Sequence, residues 1–272
     1  MQKNIKSFDG VRINYDIFRI KNKKRFLVFI HGLGGDLSCW KKERAFFHKK
    51  GIPTIAIDIR GHGKSDKPEF SKGYKLENFA KDIYPIIKKE KIPEFVLIGH
   101  CFGGMVTILF HKLHPKLAKS YVLISTTAKP QSILKSFFNE NKIFVKWLTN
   151  ELEIENSKQK IKYRDYSPFI GKGDWNVFRI YSDIIHTSLR AWILTLKKLA
   201  GFDGGEIIKT IKQKVLILEG EDDSVFDVKK AKQIHKLIKN SKLVIIPHAN
   251  HILTLNNPKS IEKEILEFNE KL

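Results

Sequence analysis

The chain has 272 residues, 42% of them hydrophobic and 29% charged, which predicts a soluble globular protein of about the size of one α/β domain. The formal net charge is +21, but it comes mostly from lysines spread along the chain without a nucleic-acid-binding motif, so we interpret it as a solvated surface and predict no nucleic-acid partner. The two cysteines, Cys39 and Cys101, are too few for a disulfide scaffold and predict a reducing compartment, the cytoplasm.

The first half of the chain alternates short β-branched runs with segments of helical spacing. It opens without the apolar stretch of a signal peptide, and two alternating runs around Asp9 and Gly10 predict a β-hairpin. Strands are predicted at 25–30, 54–59 and 95–99, and helices at 37–50, 76–87 and 102–113. Pro85 is expected to kink the second of these helices. The apolar stretch at 95–110 is shorter than the about 20 residues that cross a bilayer, so no membrane span is predicted.

The second half of the chain keeps this rhythm except in one long interval. Strands are predicted at 121–125, 215–220 and 243–247, and helices at 228–238 and 261–268. Between 129 and 211 no strand pattern occurs, and aromatic residues such as Trp147 and Trp175 are frequent. We interpret 129–211 as a helical cap inserted into a core formed by 1–128 and 212–272; the alternative is a further helical layer of the core. The predicted fold class is α/β, with a mostly parallel sheet flanked by helices.

The sequence Gly99-His100-Cys101-Phe102-Gly103 joins a predicted buried strand to a predicted helix. A strand that turns sharply into a helix leaves no room for side chains on either side of the turning residue, and glycines at those places let the backbones approach. Cys101 is then held in a strained conformation above the sheet edge, at a helix N-terminus that favours a thiolate. We therefore predict Cys101 as a nucleophile; the alternative is a small buried cysteine in a packing turn.

A thiol nucleophile needs a base, and the base needs a carboxylate that orients it. Both are expected in loops at the carboxyl ends of parallel strands, because these loops line the ligand crevice. His251 follows the last predicted strand and is the expected base, with His248 in the same loop as its nearest competitor. The loop after the strand at 215–220 supplies two adjacent acids, Asp222 and Asp223.

Two backbone N–H groups are expected to stabilise the oxyanion of a tetrahedral intermediate. One belongs to Phe102, directly after the nucleophile, and the other is assigned to Leu33 in the glycine-rich loop that follows the strand at 25–30. Further residues of these loops, together with aromatic residues of the predicted cap, are predicted to contact the substrate. They are His31, Gly32, His100, Trp147 and Trp175.

Taken in order along the chain, these motifs resemble the α/β-hydrolase superfamily, and within it the single-domain esterase and lactonase group. The resemblance rests on the loop at 31–35, the run at 58–65, the bend at 99–104, the acidic loop at 220–223 and the histidine loop at 249–251. It implies an eight-stranded sheet with the cap after the sixth strand, and it assigns the acid to Asp223. The sequence departs from the family pattern at Cys101, where serine is usual, and at Asn250, where glycine is usual. A cysteine nucleophile is similar to that of dienelactone hydrolases.

The expected reaction is hydrolysis of a carboxylic ester, thioester or lactone of a small, mostly apolar acyl compound through an acyl-cysteine intermediate. One alternative is an acyltransferase that uses the same intermediate. Another is a non-catalytic protein that binds a small molecule on the same fold. The expected chemistry needs no cofactor, and the histidines do not cluster with cysteines or acidic residues as metal ligands do, so no metal is predicted.

Overall fold

Eight strands form one sheet in the part of the chain that the computed structural model describes, residues 1–130 and 163–272. In chain order they are β1 (Gln2–Lys6), β2 (Arg12–Phe18), β3 (Arg25–Ile30), β4 (Thr54–Ile57), β5 (Glu94–His100), β6 (Ser120–Ile124), β7 (Val215–Gly220) and β8 (Ser241–Ile246). Their spatial order is β1-β2-β4-β3-β5-β6-β7-β8. β2 runs antiparallel to both of its neighbours, and all other neighbouring strands are parallel. The predicted mostly parallel α/β sheet is therefore confirmed.

Strand β3 is buried on both faces, which explains its unbroken apolar sequence. Phe26, Val28 and Ile30 belong to one hydrophobic core, and Leu27 and Phe29 belong to the other. The helices that cover these cores and the carboxyl edge of the sheet follow in chain order. They are α1 (Lys41–Lys49), α2 (Leu76–Lys81), α3 (Ile83–Lys89), α4 (Phe102–Leu113), α5 (Val177–Thr187), α6 (Leu189–Leu199), α7 (Gly205–Lys209), α8 (Val228–Leu237), α9 (Leu253–Asn256) and α10 (Pro258–Glu270).

The helix predicted at 76–87 is two helices, with Asp82 between α2 and α3. Pro85 lies in the first turn of α3, where its missing N–H needs no partner within the helix. In a continuous helix its ring would meet the carbonyl group of Lys81, the last residue of α2. Asp82 itself keeps helical dihedral angles, φ −65° and ψ −24°, so the proline interrupts the helical hydrogen bonds at one residue.

Between β6 and β7, the described residues are helical or irregular, as predicted for this interval. α6 packs on α2, and Asp183 of α5 and Trp192 of α6 approach Gly34 in the loop after β3. These two helices therefore lie over the carboxyl edge of the sheet. α7, by contrast, packs on α4 and α8. The division of the chain into core and cap stays a prediction, since residues 131–162 lie outside the described part. No helix of the described residues is both long and apolar enough to cross a bilayer.

Candidate active site

Cys101 lies at the sharp bend between β5 and α4, with φ 52° and ψ −116°. A positive φ of this kind costs a non-glycine residue about 1–3 kcal/mol, so the surrounding structure must hold it. Gly99 and Gly103 let the bend form. A Cβ on Gly99 would lie 2.2 Å from the oxygen of Gly103, and a Cβ on Gly103 would lie 2.4 Å from the oxygen of Ile30. The bend leaves the Cys101 side chain half-buried at the N-terminus of α4.

Two backbone donors near Cys101 have no hydrogen-bond partner among the described residues. Within the described part of the chain, no carbonyl group or side chain accepts a hydrogen bond from the N–H of Leu33 or of Phe102. Gly32 lets the loop of Leu33 come close, because a Cβ built on it would lie 3.1 Å from the Cβ of Cys101. The N–H of Cys101 itself donates to the oxygen of Ile124 at 2.9 Å. The two predicted oxyanion donors are thus unoccupied by other described residues.

The ring of His251 lies between the Cys101 thiol and the Asp223 carboxylate. Its Nδ1 is 2.7 Å from Asp223 Oδ2, and on its other side the ring shares the lining of one cavity with Cys101, whose side chain interacts with it electrostatically. Asp223 is held in turn by the N–H groups of Val225 and Phe226, which donate to Oδ1 at 2.7 Å each. Because Nδ1 is taken by the carboxylate, Nε2 faces the sulfur. The structure therefore brings together the three residues expected from three separate loops.

Charges inside this group favour an ion pair. Burial by itself would lower the pKa of His251, but the charge of Cys101 and the hydrogen bonds to both neighbours outweigh it and hold that pKa well above its usual range. Burial would likewise raise the pKa of Asp223, yet the hydrogen bond to His251 and its charge keep that pKa below its usual value. The raised pKa of His251 and the lowered pKa of Asp223 both favour the pair of imidazolium and carboxylate over the neutral pair.

The competing candidates for base and acid lie away from the thiol. His248 and Asp222 are both exposed. The N–H of His248 donates to the side chain of Glu221 at 3.2 Å, and the N–H of Asp222 donates to the oxygen of Ala249 at 2.9 Å. These bonds shape the two loops, and they leave His251 and Asp223 as the inward-facing pair.

A cavity of about 80 Å³ opens beside the thiol. Gly32, Leu33 and His100 line it together with Cys101 and His251. A cavity needs about 10–15 Å³ of such space to hold one water molecule, so this open cavity can accept a small ligand group. Among the described residues, no group of three or more His, Cys, Asp or Glu side chains is arranged to hold a metal ion.

Comparison with known proteins identifies the family. A family model described as alpha/beta hydrolase fold matches residues 26–153 and 149–258. The chain belongs to the α/β-hydrolase fold family. It is 26% identical over 253 residues to Protein ABHD8 of Bos taurus, a match that covers 89% of this chain and 55% of that protein. The chain thus spans about half the length of this relative.

Two other proteins match along nearly their whole length. The chain is 26% identical over 280 residues to the bifunctional esterase/perhydrolase DCH of Acinetobacter calcoaceticus, with 96% of each protein covered. The solved structure of the esterase EaEST from Exiguobacterium antarcticum has a TM-score of 0.77 at 18% identity, covering 98% of this chain and 99% of that one. At this identity, the structural likeness shows a shared fold.

In this α/β-hydrolase, His31 supports the loop after β3 and does not line the cavity. Its ring is fully buried, with Nδ1 bonded to the oxygen of Gly32 at 2.8 Å and Nε2 accepting from the N–H of Ile59 at 3.2 Å. Burial lowers the pKa of His31 to about 4, so the ring is neutral. The predicted substrate contact is therefore corrected: His31 fixes the loop that carries Leu33.

His100 has a similar positioning contact but does reach the cavity. Its Nε2 donates to the backbone oxygen of His251 at 2.9 Å. Burial, followed by the charge of His251, lowers the pKa of His100 to about 3, so this ring is also neutral. His100 thus links the bend after β5 to the loop that carries the base.

The two tryptophans predicted to contact the substrate have a different outcome. Trp175 is 66% exposed and does not line the cavity, so the structure does not form the predicted contact. Trp147 lies outside the described residues. Aromatic content indicates that a segment packs against something, but it does not say which side chains turn inward.

Among the described residues of this segment, Tyr166 and two charged side chains that the sequence analysis missed line the cavity. Arg179 and Asp183 of α5 line the cavity and form an ion pair, with Nη1 and Oδ2 2.7 Å apart. Asp183 is also paired with the buried Arg164. The spacing of four residues between Arg179 and Asp183 signals a helical ion pair, but nothing local indicates that the pair faces the thiol.

Asp174 is a second residue that sequence reasoning missed. Its Oδ1 accepts from the N–H of His251 at 2.9 Å, and its Oδ2 accepts from the hydroxyl of Ser224 at 2.8 Å. Asp174 therefore ties the loop of the base to the loop of Asp223. Asp174 is 77 residues from His251 in the chain, so no local sequence pattern could have predicted this hydrogen bond.

Proposed function

We propose that the chain is a carboxylic ester hydrolase in which Cys101 is the nucleophile, His251 the base and Asp223 the residue that orients the base. One observation carries the proposal: Cys101 and His251 line one open cavity, and Nδ1 of that histidine is 2.7 Å from the Asp223 carboxylate. The esterase names of a full-length relative and of a structural neighbour support this reaction class. In this proposal the nucleophile is of the dienelactone-hydrolase type.

The first half of the proposed reaction forms a thioester. The Cys101 thiolate attacks the carbonyl carbon, a C–S bond forms, and the carbonyl electron pair moves to the oxygen. The N–H groups of Leu33 and Phe102 donate to this oxyanion. When the intermediate collapses, the C–O bond to the leaving group breaks and the leaving alkoxide takes the proton from His251.

The second half of the reaction hydrolyses the thioester. His251, now neutral, takes a proton from water, and the hydroxide attacks the acyl carbon. Collapse of this second intermediate breaks the C–S bond and restores the thiolate beside the protonated ring. Asp223 stabilises the imidazolium and keeps the tautomer with Nε2 directed at the reacting atoms.

The size of the cavity points to a short acyl group. At about 10–15 Å³ of cavity volume for a water molecule, a cavity of about 80 Å³ suits an acyl group of about two to four carbons. We therefore narrow the expected apolar acyl substrate to a short-chain ester, thioester or lactone.

The two cysteines are both free thiols, which supports the proposal of a reducing compartment, the cytoplasm.

The test uses p-nitrophenyl acetate with the parent protein, Cys101→Ala and, as a matched control, Cys39→Ala. The parent and the control should release p-nitrophenol and gain the mass of one acetyl group on the peptide that contains Cys101. Cys101→Ala should do neither. Equal rates in the parent and Cys101→Ala would show that the cleavage does not use this thiol. Formation of an acetylated amine or alcohol, when one is added, would identify an acyltransferase instead.

The same assay tests the proposed chain length. The acetate and butyrate esters should react faster than the octanoate ester, because the longer chain exceeds the cavity. A faster reaction with octanoate would contradict the short-chain proposal while leaving the thiol mechanism intact.

A further inference from the structure

Glu219 is a buried carboxyl group that the reaction described above does not use. It is the last residue but one of β7, and its side chain is fully buried. Oε1 accepts from the N–H of Gly220 at 3.1 Å, whereas Oε2 has no hydrogen-bond donor within the described residues. An ionised carboxylate in this position would have a charge without compensation, which is strongly unfavourable in a protein interior.

Asp223 lies in the tight turn directly after β7, where its N–H donates to the oxygen of Gly220 at 3.3 Å, and the carboxyl groups of Glu219 and Asp223 interact in this buried turn. Asp223 already has three donors: two backbone N–H groups on Oδ1 and the ring of His251 on Oδ2. Two adjacent carboxyl groups in one buried site cannot both be ionised at low cost, and the one with more donors keeps the charge. The proton of the pair therefore belongs on Glu219.

The charges around Glu219 agree with this assignment. Burial is the largest cause of the raised pKa of Glu219, followed by the hydrogen bond with Asp223 and the charge of Asp223. Together they raise the pKa of Glu219 to about 10. The charge of His251 and the N–H of Gly220 oppose this shift but are smaller. The charged side chains that have the largest effect on the Glu219 carboxyl group are therefore Asp223 and His251.

We propose that Glu219 is a positioning residue that stays a neutral carboxylic acid and donates a hydrogen bond to the Asp223 carboxylate, holding that carboxylate against His251. The inference rests on the proposed function, because it concerns the same thiol, imidazole and carboxylate. The inference adds Glu219, which lies behind Asp223, to the group formed by the thiol, the imidazole and the carboxylate. The added donor keeps Asp223 ionised to lower pH, since a hydrogen bond to a carboxylate favours its charged form.

The variants Glu219→Gln and Glu219→Met separate the hydrogen bond from mere filling of space. The glutamine amide can donate to Asp223 while its carbonyl oxygen accepts from Gly220. Methionine fills a similar volume without either bond. We expect Glu219→Gln to keep the pH profile of the parent, and Glu219→Met to move the acid limb of that profile upward by about half a unit or more.

The readout is the rate of alkylation of Cys101 by iodoacetamide from about pH 5 to pH 9, because this rate follows the ionised thiol without requiring ester cleavage. The experiment therefore still decides the role of Glu219 if no ester is hydrolysed. A profile that is the same in the parent and Glu219→Met would overturn the inference. So would a Glu219→Gln profile displaced as far as that of Glu219→Met.

Infrared spectroscopy of the folded parent gives a second test that does not depend on Glu219→Met folding. At about pH 8, ordinary Asp and Glu side chains are ionised, so a carbonyl band of a protonated carboxylic acid reports a strongly perturbed group. The difference spectrum of parent minus Glu219→Gln should contain such a band. If it contains a carboxylate band instead, Glu219 is ionised and the inference fails.

Discussion

Cys39 and Cys101 line the same cavity, yet their surroundings differ in every respect that decides thiol reactivity. Cys39 is buried in a short 3₁₀ turn, Leu37–Trp40, and belongs to the core under α1. Burial, and after it the negative charges of Asp36, Glu43 and Asp58, raise the pKa of Cys39 well above its usual value. It is therefore a neutral packing group.

Cys101 has the opposite surroundings. It begins a helix, is partly accessible, and lies beside an imidazole whose pKa is raised. The comparison predicts that Cys101, and not Cys39, is the reactive thiol, although both line the cavity. What matters is positive charge and an oriented proton acceptor next to the sulfur.

The largest expected effect comes from removing the negative charge of Asp223, which helps to raise the pKa of His251 beside Cys101. In Asp223→Asn, the amide can donate to Nδ1 of His251 and so favours the wrong tautomer. Acylation of Cys101 by p-nitrophenyl acetate should fall by about 10⁴-fold, as expected when the orienting carboxylate of a triad is neutralised. Asp222→Asn is the matched control, since Asp222 is exposed, and it should acylate at the parental rate. Comparable losses in both variants would contradict the assignment of the acid.

A direct measure of the same comparison is selective alkylation of the folded protein. Because the Cys39 thiol is neutral and buried, iodoacetamide should modify Cys101 about 10³-fold faster. Peptide mass analysis after short exposures measures both rates in one sample, and denatured protein provides the control in which both thiols react alike. Preferential labelling of Cys39 in the folded protein would contradict the prediction that Cys101 is the more reactive thiol.

A smaller effect is expected from disturbing the loop that supplies an oxyanion donor. In Gly32→Ala, the new methyl group would lie 3.1 Å from the Cβ of Cys101 and 3.2 Å from Nδ1 of His100, so the loop must shift. A displaced Leu33 N–H should lower the acylation rate by about 10- to 100-fold, somewhat less than complete loss of one oxyanion donor. Gly173→Ala is the control, because a Cβ there meets nothing within 4 Å. Parental rates in both variants would argue against Leu33 as a donor.

The smallest effect on activity is expected from a change at Glu43, a buried residue near Cys39. The same change should have a clear effect on stability. Glu43 is fully buried, neither of its carboxyl oxygens has a partner in the described residues, and burial raises its pKa from the usual 4.5 to about 8. The folded state therefore holds the proton more tightly than the unfolded state. The stability this contributes is complete below about pH 4.5 and is lost as the pH rises toward 8.

Glu43→Gln removes this dependence on pH. The free energy of unfolding of the parent, relative to the variant, should fall between pH 5 and pH 7 by up to about 1.4 kcal/mol per pH unit. Urea unfolding of both proteins at the two pH values measures the difference. Parallel pH dependence of the two proteins would mean that Glu43 is ionised in the fold.

Much of the fold was predictable because it depends on local sequence. The unbroken apolar runs that became β3, β5 and β7 indicated strands buried on both faces, and the helix after Cys101 was predicted at the residues where α4 lies. The glycines around Cys101 indicated the sharp bend, since any Cβ there would meet backbone atoms. The interruption at Asp82 was harder to locate, because a proline in a helical pattern signals a disturbance without giving its exact position or size.

The sequence by itself determined which loops leave the carboxyl edge of the sheet, and so which candidate nucleophile, bases and acids share one side of the molecule. The tertiary structure alone decided that His251 faces the thiol while His248 faces solvent, and that Asp174, Arg179 and Glu219 surround the site in place of Trp175. The reason is physical. Backbone conformation follows from neighbouring residues, whereas the direction and protonation of a side chain depend on segments that meet only when the chain is packed.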